Sequence, residues 1–241
     1  MARLPRFAVL AIVLALQLPS GVTLTAQRTT AASPRASVPA PRDVFGFVPG
    51  DDYKLFTWDQ DVDYFRKLDA ASDRIVVEEI GKTVLGKPML LAIISSEANL
   101  KQRARYKAIA RRLALTTGVN EAEARALAKE GKAIVWIDGG MHSSEIANSH
   151  HVPELAHWMV TDESDEARRI RDNVILLLMP HLNPDGIDIV VDWYRKQLGT
   201  PFETTTQPEL YHHYIGHDNN RDWYMFTQIE TQAVARQLYH E

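Results

Sequence analysis

The segment AIVWIDGGMHSSE, residues 133–145, carries the most information about the fold. Its first five residues are apolar, which is typical of a β-strand that is covered on both faces. Two glycines follow Asp138, and His142 and Glu145 come shortly after them. An imidazole and a carboxylate three residues apart can bind one metal ion from a single turn of chain. The segment therefore predicts a buried strand that ends in a polar site.

A second apolar run, VILLLM at residues 174–179, predicts another buried strand. A helix is predicted between the two strands, over roughly residues 144–160. A strand, a helix and a strand in this order favour parallel pairing. Because the carboxyl ends of parallel strands meet at one edge of a sheet, Asn183-Pro-Asp-Gly186 is expected beside His142 and Glu145. Two polar clusters at one edge predict a functional site.

The rest of the chain is predicted to alternate between helices and strands, which indicates an α/β fold. The predicted helices cover residues 59–71, 99–115, 120–130 and 227–241, and the predicted strands cover residues 74–80 and 89–95. We expect a mixed, mostly parallel sheet that is wrapped by helices on both faces.

Composition and charge argue against several classes of protein. The chain has 241 residues, of which 45% are hydrophobic and 24% charged, values that are ordinary for a globular domain. A formal net charge of −4 gives no reason to expect nucleic acid or an anionic membrane as a partner. The predicted helix over residues 99–115 is strongly basic, and a solvated surface is favoured over a nucleic-acid or membrane face there.

The N-terminus is predicted to be a secretory signal. Arg3 and Arg6 precede an apolar run over residues 7–18, which is too short to span a bilayer comfortably. We assign residues 1–26 to a signal peptide that is cleaved after Ala26. An uncleaved anchor is the alternative interpretation.

Residues 27–42 are rich in Ala, Ser, Thr and Pro and predict a flexible leader. The globular part is expected to cover residues 43–241. A signal peptide predicts a secreted or periplasmic protein with no stable membrane partner after cleavage. The chain contains no cysteine, so its stability must come from core packing or a metal ion and not from disulfides.

Taken alone, His142 and Glu145 are weak evidence for a metal site. The chain contains a second pair with the same spacing, His151 and Glu154, which we interpret as helix surface because Pro153 and its surroundings lie well inside the predicted helix. Other histidines are individually expected to be structural or solvated: His181, His212, His213, His217 and His240. From these residues alone, metal binding at His142 and Glu145 and a purely structural role are both open.

Five segments, in order along the chain, resemble the M14 zinc carboxypeptidases, the family of pancreatic carboxypeptidases A and B and their bacterial relatives. The matching segments are Ile80-Gly-Lys-Thr-Val-Leu-Gly-Lys-Pro-Met-Leu90, Trp136–Glu145, Asn183-Pro-Asp-Gly186, Asp192-Trp-Tyr-Arg-Lys196 and Asp218-Asn-Asn-Arg-Asp-Trp223. Together they span residues 80–223, and a chance match to all five is very improbable.

The resemblance implies a zinc site. It assigns His142 and Glu145 as two ligands of Zn²⁺, and Asp218 as the carboxylate that accepts a hydrogen bond from the far ring nitrogen of His142. Zinc lowers the pKa of its bound water from about 15.7 towards neutrality and polarises the peptide carbonyl. The implied reaction is hydrolysis of a peptide bond, with a glutamate as the general base.

The resemblance also implies how a substrate binds. It assigns Asn220 and Arg221 to the free C-terminal carboxylate of a peptide or protein, a task that suits the planar fork of arginine. Arg195 is assigned to the oxyanion that forms when the carbonyl is attacked. For both arginines, an ordinary surface ion pair is the alternative.

The family's third zinc ligand, its general base and a substrate-covering tyrosine are expected later than residue 241. We therefore expect the chain to be the N-terminal part of a longer catalytic domain, truncated before its last strands and inactive by itself. His217, which follows His212 and His213, is considered as a substitute third ligand, but the resemblance places Asp218 and Asn220 in the site and leaves His217 beside it.

Two other functions are weighed against a metallocarboxypeptidase. The first is a zinc deacylase or amidohydrolase of the related branch, which shares the His-x-x-Glu spacing. The second is a non-catalytic carboxypeptidase-like binding module. Asn220, Arg221 and the lead-in Trp136-Ile-Asp-Gly-Gly140 favour the peptidase over the deacylase. Neither side-chain specificity nor the choice between exo- and endopeptidase can be predicted.

Overall fold

The computed structural model describes residues 37–210, 215 and 217–239. The predicted signal peptide, residues 27–36 of the predicted leader, and His212, His213 and His240 lie outside these described residues. The folded part begins slightly before Asp43, the predicted start, because the short helix α1 (Pro41–Phe45) buries both Pro41 and Phe45.

Four strands form one sheet: β1 (Ile75–Lys82), β2 (Pro88–Ile94), β3 (Ala133–Asp138) and β4 (Val174–Met179). Their order across the sheet is β1-β2-β4-β3. Strands β3 and β4 pair in parallel, as predicted, while β2 pairs antiparallel with both β1 and β4. The predicted mixed α/β class is confirmed, but the expectation of a mostly parallel sheet is wrong for the described strands. A five-residue connection between β1 and β2 is too short for a parallel crossover and permits only a hairpin.

The remaining elements are helices. They are α2 (Trp58–Ala71), α3 (Glu97–Lys101), α4 (Arg103–Ala114), α5 (Glu121–Glu130), α6 (Ile146–His150), α7 (Val152–Thr161), α8 (Asp165–Asn173), α9 (Pro184–Gln197), α10 (Ile229–Tyr239) and a short 3-10 helix (Asn219–Arg221). Helices α8 and α9 were not predicted. Asn183 begins α9, because its side chain accepts a hydrogen bond from Gly186 N at 3.0 Å and Pro184 suits the first helical position.

The helix that was predicted over residues 144–160 is two helices, α6 and α7, separated at His151. Pro153 explains the break, because its ring collides with the carbonyl four residues earlier in a continuous helix and it has no N–H to donate. The chain turns at His151 and starts again with Pro153 in the first turn of α7.

Two hydrophobic clusters lie on the two faces of the sheet, as the alternation of side chains in β2 shows. Leu90, Ala92 and Ile94 belong to the first cluster, with α2, α7 and α9, whereas Met89 and Leu91 belong to the second, with α4 and α10. The prediction of helices on both faces is therefore confirmed.

Strand β3 is the exception to this burial. None of its residues is buried, and Ile134 and Val135 are 42% and 39% exposed. It lies at one end of the strand order. The prediction that both apolar strands are covered on both faces is correct for β4 and wrong for β3 in the described part of the chain.

Four basic side chains of α3 and α4 form ion pairs with acidic neighbours. These pairs are Lys101–Glu97, Arg103–Glu78, Arg105–Glu130 and Arg112–Glu123. Among the described residues, no helix has both the length and the apolar character to cross a membrane.

Candidate functional site

The polar segments that follow β3 and β4 lie together, as predicted. The two strands pair in register from Ala133 with Val174 to Asp138 with Met179, so they end at the same edge of the sheet. Beyond that edge, Leu182 N donates a hydrogen bond to Gly139 O at 2.9 Å. The Ser143 hydroxyl donates to Asn183 O at 3.2 Å. These bonds join the segment that carries His142 to the start of α9.

Glycine is required at two positions where these segments touch. Gly140 has a φ of +62°, and a Cβ there would lie 2.2 Å from Nε2 of the buried His181. A Cβ on Gly186 would lie 2.3 Å from the Ser143 hydroxyl. Both distances are far below van der Waals contact, so the close approach of the two segments depends on these glycines.

His142 and Glu145 converge across one turn of chain. Glu145 N donates a hydrogen bond to His142 O at 3.0 Å, which closes the turn. As a result, Nδ1 of His142 lies 3.2 Å from Oε2 of Glu145. The same carboxylate oxygen accepts a hydrogen bond from Asn148 Nδ2 at 2.8 Å. An imidazole nitrogen and a carboxylate that face each other are a suitable donor pair for zinc.

Asp218 lies on the other side of the same ring. Its Oδ2 is 3.3 Å from Nε2 of His142, and both side chains are 28% exposed. If Nδ1 binds a metal ion together with Glu145, the ring carries its proton on Nε2, where Asp218 can accept it. Each ring nitrogen therefore has the neighbour that a metal ligand requires.

Asn220 and Arg221 are on the segment that Asp218 begins. Oδ1 of Asp218 accepts a hydrogen bond from Arg221 N at 3.2 Å, so Asp218 caps the 3-10 helix. Asn220 and Arg221 are both exposed. Their side chains are accessible to a ligand on the segment that also contacts His142.

Arg195 is not brought to this group. It is exposed on the last turns of α9, and its Nη2 donates a hydrogen bond to Leu55 O at 2.6 Å. Within the described ranges it has no recorded contact with His142, Glu145 or Asp218. Its assignment to the oxyanion stays a prediction from the resemblance.

Two other histidines in the described residues, His217 and His151, have partners outside this group. His217 directs Nε2 to Oδ1 of Asp222, at 2.9 Å, and His151 directs Nδ1 to Ala147 O, at 2.8 Å. His151 is exposed, which agrees with its interpretation as helix surface. In the part of the chain that the structure describes, no three His, Cys, Asp or Glu side chains are grouped so that they could hold a metal ion.

Residues 62–240 match the sequence model of the zinc carboxypeptidases, peptidase family M14. The chain belongs to this family. The zinc carboxypeptidase match includes every predicted site residue, from His142 to Arg221.

Solved carboxypeptidase structures are distant. Carboxypeptidase A from Helicoverpa armigera is 16% identical, with 61% of this chain and 31% of that chain covered and a TM-score of 0.39. A metallo-carboxypeptidase from Burkholderia cenocepacia is 19% identical (54% and 28% covered, TM-score 0.39). Thrombin activatable fibrinolysis inhibitor is 11% identical (63% and 32% covered, TM-score 0.41). The chain spans 28% to 32% of the lengths of these three. A search of curated proteins found no match.

Two of the segments that resemble zinc carboxypeptidases support the site without contacting the candidate ligands. Asp185, in the Asn-Pro-Asp-Gly segment, accepts hydrogen bonds from the Thr83 hydroxyl at 2.6 Å and from Leu85 N at 3.1 Å. Glu230 on α10 accepts one from Val84 N at 3.0 Å. The β1–β2 turn is thereby bound to both α9 and α10. The contact between Thr83 and Asp185 was not predicted from the sequence.

Two buried ionisable residues, His150 and Asp61, were not predicted, and the buried His181 was expected only to be structural or solvated. Burial and, to a smaller extent, the neighbouring His150 lower the pKa of His181 to about 3. Burial lowers the pKa of His150 to about 4. Burial raises the pKa of Asp61, whose carboxylate oxygens have no hydrogen-bond partner among the described residues. No local sequence pattern marks these three residues, because their burial depends on packing between distant segments.

A cavity of about 580 Å³ opens beside Glu145. Ser144 and Ile146, the neighbours of Glu145 in the chain, form one part of its wall. Residues 50–55, residues 203–207 and parts of α6 and α9, among them Trp193 and Tyr194, form the rest. The wall contains carboxylates as well as Lys54, so its charge does not select one sign of ligand. Neither His142 nor Glu145 lines this cavity.

Proposed function

We propose that this protein is a zinc-dependent metallocarboxypeptidase, which hydrolyses peptide bonds at the C-termini of peptide or protein substrates. The observation that supports this most directly is the position of His142, with Glu145 at one ring nitrogen and Asp218 at the other. Membership of the zinc carboxypeptidase family gives the arrangement its chemical context.

In the proposed mechanism, Nδ1 of His142 and the carboxylate of Glu145 would hold Zn²⁺. Asp218 would accept the Nε2 proton of His142 and so leave Nδ1 to bind the metal. Zinc held there would supply an activated water and polarise the substrate carbonyl. Asn220 and Arg221 bind the terminal carboxylate of the substrate and so orient the last peptide bond.

Zinc retention tests the ligand assignment. We expect His142→Ala and Glu145→Ala each to lower zinc affinity by at least tenfold, roughly one lost ligand contact. Affinity is measured by competition with a chromophoric chelator. His151→Ala and Glu154→Ala, which alter the second pair of the same spacing, are the matched controls and should retain wild-type affinity. Unchanged zinc binding in both His142→Ala and Glu145→Ala would refute the assignment.

Peptides with free and amidated C-termini test the substrate assignment. We expect tighter binding of the free peptide, and we expect Arg221→Ala to abolish most of that difference because the charge-assisted fork is lost. Equal binding of both peptides by the wild type would contradict recognition of the terminal carboxylate. Zinc binding together with this discrimination, but without hydrolysis, would support the binding module instead.

Export is part of the proposal. The basic residues and apolar run within residues 1–26 support cleavage and release to the periplasm or medium. N-terminal sequencing of the exported protein tests this, and a mature protein that still begins at Met1 would contradict it.

A further inference from the structure

Asp222 is a buried carboxylate at the end of the segment that carries Asp218, Asn220 and Arg221. It is 0% exposed. Its Oδ1 accepts hydrogen bonds from Thr227 N at 3.0 Å and from the Thr227 hydroxyl, and its Oδ2 accepts them from Gln228 N at 2.9 Å and from the Thr231 hydroxyl. Burial alone would raise the pKa of Asp222, but these bonds and the one to His217 hold it far below its ordinary value. The group is therefore an ionised carboxylate with its acceptor positions filled.

These hydrogen bonds connect the two ends of the 218–221 segment. Nε2 of His217, just before the segment, lies 2.9 Å from Oδ1 of Asp222, just after it. Gln228, which donates its N–H to Asp222, also donates its side-chain Nε2 to His217 O at 2.9 Å. Both ends of the segment are thus fixed to the start of α10. The intervening Asp218 is left with its carboxylate directed at His142.

From this arrangement we infer that Asp222 is a positioning residue, which holds the 218–221 segment so that Asp218 meets Nε2 of His142. The inference rests on the proposed function only in so far as the orientation of His142 serves metal binding. Asp222 touches neither His142 nor a substrate in this role, because it acts through Asp218.

The alternative is that Asp222 only caps α10. A cap stabilises its helix, and its loss lowers stability without changing a distant ring. Zinc affinity measured with and without Asp218 separates the two roles, because an effect that acts through Asp218 disappears when Asp218 is replaced, whereas a lower stability of α10 acts in either case.

The experiment compares the wild type with Asp222→Asn, which keeps the size of the side chain but presents N–H groups to donors. Zinc affinity is measured by competition with a chromophoric chelator in the wild type, in Asp222→Asn, in Asp218→Asn and in the double variant. Ser164→Ala removes the cap of α8, where the Ser164 hydroxyl accepts from Ala167 N, and is the matched control for a lost helix cap.

We expect Ser164→Ala to keep wild-type zinc affinity, Asp222→Asn to lose about tenfold, and the double variant to lose no more than Asp218→Asn alone. Unchanged zinc affinity in a folded Asp222→Asn, or an equal loss with and without Asp218, would overturn the inference. If Asp222→Asn does not fold, Thr231→Val is carried through the same comparison, and a loss that persists without Asp218 would overturn it. Wild-type binding of free and amidated peptides is measured in parallel. Failure to distinguish them would refute the proposed function, while the comparison of zinc affinities would still decide the role of Asp222.

Discussion

Strands β3 and β4 are similar in sequence and different in their surroundings. Both are strands of six residues, of which β4 is wholly apolar and β3 is apolar up to Asp138; they pair in register, and both end at the candidate site. Yet β4 lies between β2 and β3 and has Leu178 and Met179 fully buried, while β3 has no buried residue. An apolar run therefore indicates that a strand forms and where it ends, but the neighbours of that strand are set by the whole sheet.

The largest effect is expected from truncating the centre of β4. Leu178 is 0% exposed, and Leu178→Ala should lower the free energy of unfolding by about 3–5 kcal/mol, through lost burial and the remaining cavity. Urea denaturation measures the loss. A loss below about 1 kcal/mol would mean that β4 is no better packed than β3.

The next largest effect is expected at Gly140, in the turn where the ends of β3 and β4 lie together. Gly140→Ala should destabilise the protein by about 3 kcal/mol, because the new Cβ collides with His181 and φ is positive. Gly86, with a φ of +82° and no atom within 4 Å of a Cβ, is the matched control. Gly86→Ala should cost only about 1 kcal/mol. Equal losses in the two variants would show that the contact with His181 contributes nothing.

Low pH should lower the free energy of unfolding through the buried His150. Since folding lowers the pKa of His150 to about 4 from about 6.5, the unfolded chain binds more protons between these values. This contribution to stability is complete above about pH 6.5 and declines by about 2–3 kcal/mol as the pH falls towards 4. Urea midpoints across this range measure it. His150→Gln should reduce the slope and leave the part that is due to His181, whereas the exposed His151→Gln should leave the profile unchanged. An unchanged slope in His150→Gln would contradict the assignment.

The smallest effect is expected on β3. Val135 is 39% exposed, and Val135→Ala should cost only about 0.5–1 kcal/mol, mostly through strand preference. The measurement is the urea midpoint that is used for Leu178→Ala. A loss as large as that of Leu178→Ala would show that β3 is covered in solution by some part of the protein.

The bounds of elements that are determined locally were predicted from the sequence. The bounds of β3 and β4 are those predicted, and α2 begins one residue before its predicted start, because apolar runs and helix caps act over a few residues. The sequence also predicted that His142 and Glu145 face each other, because both lie on one turn of chain.

Features that depend on contacts between distant segments were not predicted from the sequence. The strand order, the exposure of β3 and the burial of Asp222 each require contacts that no local pattern encodes. Asp218 was placed by resemblance alone, since 72 positions separate it from Ile146 at the start of α6 and no spacing rule connects them. Arg195 was placed in the same way; its Nη2 donates a hydrogen bond to Leu55 O, and its assignment to the oxyanion stays a prediction.

The β1–β2 turn has a consequence for the order in which the protein folds. Its partners Asp185 and Glu230 lie 100 or more positions further along the chain, with separations of 102 residues from Thr83 and 146 from Val84. Such contacts close late, since long loops must be ordered before they gain anything. A nascent chain on the ribosome can form the hairpin early, but it cannot complete these tethers until Glu230 has emerged.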